Sequence, residues 1–181
     1  MHLPILTALL ILLPLTTSNP IPLDLSPLTT DATPILNDLT KLTTDLSTLT
    51  TAIKSYTGGL IPALDIQRKE MIVERDLEQA TSDTEAATPF TVDESAAATR
   101  ALLGLEPDVR EALGGLISKK PLVNQAGVGA VVRMDLVNLK SKTGLLSSAL
   151  QGKATEMDRT TLASKTTELI AGFDDAIRAY S

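Results

Sequence analysis

The chain has no cysteine and no tryptophan, and only one histidine among 181 residues. Each absence removes a class of chemistry. Without cysteine there is no disulfide framework and no thiol nucleophile or thiolate metal site. The single histidine, His2, lies in an N-terminal segment that reads as a removable leader. The remaining chain therefore has no imidazole for a Ser-His-Asp or Cys-His arrangement, nor for the Glu-x-x-His di-iron pattern of helical bundles. No catalytic residue, metal ligand or cofactor is expected. Aromatic residues are almost as scarce: Tyr56, Phe90, Phe173 and Tyr180 are the whole set. A core built from this chain must be aliphatic. The net charge of −6 argues against nucleic acid and against electrostatic docking on acidic lipid headgroups. Asn19, Asn37, Asn124 and Asn138 all lack Ser or Thr two residues on, so no N-glycosylation sequon is present.

What is there begins with a leader. MHLPILTALLILLPLTTS carries an apolar run from Leu3 to Leu15, too short to span a membrane, followed by small polar residues. It reads as a secretory signal peptide over 1–18, cleaved after Ser18, and places the protein outside the cell. Residues 19–33 hold three prolines and little periodicity, an extended lead-in. Residues 34–181 are expected to form one helical domain.

The stretch ILNDLTKLTTDLSTLTTAIKSY (35–56) sets Ile35, Leu39, Leu42, Leu46, Leu49, Ile53 and Tyr56 at alternating spacings of four and three. That stripe specifies a helix packed on partners. Its outer face is crowded with threonine, a weak helix former because its branched Cβ loses rotamer freedom. The helix is expected to hold only against something apolar. Thr33 and Pro34 offer its start and Gly58-Gly59 its end. A second helix is expected from Pro62 to about Ser82, with no clear apolar face. Its Glu70 and Glu74, interleaved with Arg68, Lys69 and Arg75, look like a solvated face of ion pairs. Thr91-Val-Asp-Glu94 is a capping box opening a third helix. Pro107 either kinks that helix or divides it, and Lys119-Lys-Pro121 ends it. Asn124 caps a fourth helix with the stripe Val128, Val132, Leu136, Leu139, Leu146 and Leu150. Thr155-Glu-Met-Asp158 resembles another capping box, opening a fifth helix with Leu162, Leu169, Phe173, Ile177 and Tyr180 inside. The glycines of QAGVGAV (125–131) suit close approach of helices three and four better than a phosphate loop. The class is all-α, an antiparallel bundle of about five helices, expected to be a monomer.

Three stretches, LEPDVREALGGLISKKPLV (105–123), VVRMDLVNLKSKTGLLSSAL (131–150) and FDDAIRAY (173–180), resemble the fungal hydrophobic surface-binding protein A family, which includes antigenic cell-wall galactomannoproteins. The resemblance implies secretion or wall association, adsorption to hydrophobic surfaces, capture of long-chain fatty acids inside the bundle, and help in recruiting secreted hydrolases. The other reading is a structural wall mannoprotein with no small-molecule ligand. With the resemblance, the aliphatic inner faces of helices one, four and five nominate Leu42, Leu46, Leu49, Leu136, Leu139, Leu169 and Phe173 as ligand-binding residues.

Overall fold

The computed structural model describes residues 32–181, so the leader and most of the lead-in lie outside the described residues. Five helices follow one another: α1 (Ala32–Ser55), α2 (Leu60–Ala86), α3 (Val92–Gln125), α4 (Gly129–Lys153) and α5 (Glu156–Ala179), with no strand among the described residues.

The stripe of α1 is buried at every position from Ile35 to Tyr56. Burial of such side chains stabilises by roughly 1.5–3 kcal/mol each, which outweighs the poor propensity of the threonines. Those threonines also satisfy themselves. Thr40, Thr43, Thr44, Thr48 and Thr50 each donate a hydroxyl to the carbonyl four residues earlier, at 2.8–3.2 Å. The helix is already formed at Ala32, so Thr33 lies inside it rather than capping it. Pro34 remains in the first turn, where its missing N–H costs no hydrogen bond.

Each helix packs on two neighbours, in the ring order α1–α2–α4–α5–α3 and back to α1, with only a lesser contact between α3 and α4 beside their connection. The antiparallel bundle is therefore mixed. Lys153, at the end of α4, donates to the carbonyls of Glu85 and Ala87 at the end of α2, so α2 and α4 run parallel. Lys119, late in α3, donates to the carbonyl of Tyr56 just past α1, at 2.7 Å. Ser95, early in α3, donates to Asp158, early in α5, at 2.5 Å. One end of the ring thus gathers the starts of α1, α3 and α5. The other end gathers their last turns and the starts of α2 and α4.

Three further sequence expectations change. The capping box at Thr91 forms as read, but that at Thr155 does not: no N–H of the helix reaches its side chain. Instead Thr155 donates its hydroxyl to Asp158 and its backbone N–H to Ser95 Oγ, so a residue of α3 completes the cap of α5. Second, α3 runs unbroken through Pro107, and through Pro121 as well, to Gln125. Lys119-Lys-Pro121 does not end it, because Lys119 is tied to Tyr56 and Val123 is buried beyond the proline. Asn124 accordingly closes α3 rather than capping α4: its carbonyl accepts the Gly127 N–H at 3.0 Å, and Val128 precedes the first turn of α4. Gly127 makes that turn with φ +75°, and a Cβ on Gly129 would stand 2.6 Å from Asn124 Oδ1. The two glycines do serve a tight α3–α4 junction.

Third, α2 has a clear inner face once charged residues are admitted to it. Ile66, Glu70, Val73, Leu77, Ala80 and Thr84 keep the spacing 4, 3, 4, 3, 4, and all but the partly buried Ile66 are fully buried. Glu70 is not on a solvated face; it is 6% exposed.

Candidate functional site

Five helices in a closed ring leave space along the axis unless large side chains fill it. At the end holding the starts of α1, α3 and α5, Ile35, Leu39, Phe90, Leu150 and Leu162 are buried and none of them lines a cavity. Toward the other end a cavity of about 180 Å³ remains. A void needs roughly 10–15 Å³ on this scale to admit a single water, so this one is more than about ten times that threshold.

All five helices line it. From α1 and its end come Leu42, Leu46, Leu49, Ile53 and Tyr56; from α2, Ala63, Leu64, Ile66, Val73 and Leu77. The central part of α3 adds Leu102, Leu105, Val109, Leu113 and Leu116, and α4 adds Val128, Val132, Leu136, Leu139 and Leu146. From α5 come only Leu169 and Phe173. The scarcity of aromatics thus has a structural counterpart: slender aliphatic side chains around a five-membered ring do not reach its axis. Leu64 lines the void and is also 43% exposed, so the wall is thin at the start of α2.

The seven residues nominated from the sequence all face this one cavity. The nomination missed the walls supplied by α2 and α3, because neither helix shows an unbroken apolar stripe. It also missed the polar lining, which is Gln67, Glu70, Lys119, Asp135 and Thr143 besides the Tyr56 ring. The available signal was the frame of α2 and α4, in which Glu70 and Thr143 occupy stripe positions between apolar neighbours.

The charged groups in this lining differ in their surroundings. Lys119 is half-buried and spends one donor on the Tyr56 carbonyl, leaving two for anything in the cavity. Burial, aided by the Asp135 and Glu74 carboxylates, pushes Glu70 up to about 8. Burial and the Glu74 charge raise Asp135 to about 6. Glu74 itself is paired: Lys142 reaches its Oε2 at 2.7 Å and Glu78 at 2.8 Å. No cluster of metal-ligating side chains occurs among the described residues. Nor is any described helix long and apolar enough to cross a membrane.

An apolar tube through a five-helix ring, with residues 32–152 matching the family model of hydrophobic surface binding protein A, decides the kinship. The chain belongs to that family. Among solved structures it is similar to AFMP4P in complex with palmitic acid, at 44% identity over 83% of this chain and 99% of that one, with a TM-score of 0.82. Ligand-binding domains 1 and 2 of the Penicillium marneffei MP1 protein, both complexed with arachidonic acids, have the same fold. Their TM-scores are 0.78 and 0.73 at 18% and 19% identity, covering 83% and 81% of this chain and 99% and 92% of theirs. Comparison with curated protein sequences gives no match.

Proposed function

We propose that this protein is a secreted, non-enzymatic carrier that takes the alkyl chain of a long-chain fatty acid into the ring of helices. The observation that carries the reading is the apolar cavity of about 180 Å³, bounded by all five helices. A chain inside it exchanges water for aliphatic contacts at about 0.8 kcal/mol per methylene. The palmitic acid bound by the 44% identical AFMP4P supports the ligand class. The carboxylate head lies toward Lys119, the one cation of the lining among the described residues. Leu42, Leu46, Leu49, Leu136, Leu139, Leu169 and Phe173 hold the chain. The leader over 1–18, the lead-in to 33 and a single bundle domain beyond it complete the reading, with the protein a monomer. Recruitment of secreted hydrolases remains an implication of the family alone.

Adsorption to hydrophobic surfaces belongs to the same proposal, through a particular face. The stripe of α1 is spent on the bundle, whereas Leu60, Ile61, Leu64 and Met71 of α2 and Met134, Val137 and Leu145 of α4 are exposed on neighbouring helices. Ile61 is 78% exposed. Contact of this face with an apolar solid is driven by burial rather than charge, so it should persist in salt.

Displacement of a fluorescent fatty acid from delipidated protein tests the cavity. Saturable binding of one chain per protein is expected. No saturable binding would favour the structural wall protein instead.

A further inference from the structure

Two carboxyls face the cavity with no cation of their own. Glu70 on α2 and Asp135 on α4 lie on neighbouring parallel helices and line the same apolar space. Glu70 is more than nine-tenths buried and its Oε1 has no hydrogen-bond partner. The one lysine near it, Lys142 of α4, is engaged by Glu74 and Glu78. The other walls offer little: α1 and its end contribute only the Tyr56 ring among titratable groups, α5 contributes none, and α3 contributes Lys119, bonded to the Tyr56 carbonyl. An apolar chamber does not need two acids on one wall, and the neighbour that hydrogen-bonds to Glu70, Glu74, is a third carboxyl and brings no positive charge of its own.

We propose that Glu70 and Asp135 form a subsite for the ammonium head of a long-chain primary amine whose alkyl chain lies in the cavity. This rests on the reading that the cavity takes an alkyl chain. An ammonium brings three donors and one positive charge, so it supplies the partner that Glu70 Oε1 lacks and neutralises Asp135. A carboxylate brings only acceptors and a second negative charge to a wall already acidic. A fatty acid and an amine therefore occupy the same tube with their heads on different walls, the acid toward Lys119 and the amine toward the α2–α4 seam. An alcohol, with one donor and no charge, falls between.

The pH dependence follows in sign. Glu70, raised to about 8, and Asp135, raised to about 6, both lose their protons on going from mildly acidic to mildly alkaline solution. A primary amine, like a lysine side chain, stays protonated through that range. Amine affinity therefore rises with pH, while fatty-acid affinity falls or stays level. The test is calorimetric titration of the delipidated full chain with dodecylamine, dodecanol and lauric acid, below their aggregation limits, at about pH 5.5 and about pH 8.5. The same titrations are made on Glu70→Gln, on Asp135→Asn and on the double variant, with circular dichroism as a check of folding. These nearly isosteric neutral replacements remove buried charge and keep the volume. Dodecylamine is expected to gain at least about tenfold across the pH range, to outbind dodecanol at the higher pH, and to lose at least about tenfold in the double variant. Lauric acid should bind the double variant as well as or better than the parent. Dodecylamine no tighter than dodecanol, or unaffected by the substitutions while lauric acid still binds, overturns the subsite. If none of the three binds, the cavity reading fails first and the subsite with it.

Discussion

At the scale of single residues, the lining of the cavity separates roles that the sequence blends together. Lys119 looks like one more surface lysine before a proline, yet in the proposed reading its ammonium meets the carboxylate of the ligand. Lys119→Gln should weaken a fatty acid by several-fold to tenfold while leaving the corresponding fatty alcohol nearly unchanged, as calorimetric titration of the pair would show. Equal loss for both would mean that the substitution disturbs the wall, not the head. Glu70 was illegible as a buried group because Arg68, Lys69 and Arg75 surround it in sequence; only its register, four after Ile66 and three before Val73, sets it inside. The threonines of α1 were legible as poor helix formers but not as self-satisfied ones. Their back-bonds to the preceding turn leave the helix dependent on its inner stripe for stability.

At the scale of elements, α1, α4 and α5 could be read directly, since their apolar stripes keep one register and are broken only at Thr143 and Thr166. The end of α3 could not. Pro121 is a local stop signal, and it was overridden by the anchoring of Lys119 on Tyr56 and the burial of Val123, which are contacts made across the bundle. The neighbouring glycines of α3 test how tightly it packs on α1. A Cβ on Gly115 would stand 2.9 Å from Ile53 Cγ2, the branch of a stiff side chain, whereas one on Gly114 meets nothing within 4 Å. Gly114→Ala should therefore stabilise by roughly 0.5–1 kcal/mol through helix propensity, and Gly115→Ala should destabilise despite the same gain. Denaturant titrations of the two variants give the comparison; matching shifts of one sign would show that α1 and α3 are not in close contact there. The α3–α5 link makes a second element-scale expectation. Ser95 is fully buried and bridges the Thr155 N–H to Asp158, so Ser95→Ala should cost about 1–3 kcal/mol by leaving both without that partner.

For the whole molecule, the all-α class and the inward faces were legible, but the ring order was not. A leucine stripe says that a helix faces inward; it does not say which helices stand beside it, or whether their side chains meet at the centre. The structure also carries buried and half-buried carboxyls whose protons stay on more tightly in the folded chain than in the unfolded one. For Glu70 the ordinary carboxylate value is about 4.5 and the folded value about 8. Stability should therefore be full at the acidic end and fall as pH rises through that interval, with Asp135 and Asp38, each raised to about 6, acting in the lower part. The loss attributable to Glu70 is on the order of a few kcal/mol. Melting curves in a pH series should show it, and Glu70→Gln should flatten the decline; a melting temperature that climbs from mildly acidic to mildly alkaline solution would contradict the burial of these acids.

The central claim is that the ring encloses a chamber of finite length for one alkyl chain, and a chain-length series measures it most directly. Saturated fatty acids of increasing length are titrated calorimetrically into delipidated protein. Affinity should rise by up to about 0.8 kcal/mol per methylene while the cavity fills, then level off once the chain outgrows it. Heats that never saturate, or affinity that is independent of chain length from the shortest acids onward, would contradict an enclosed site.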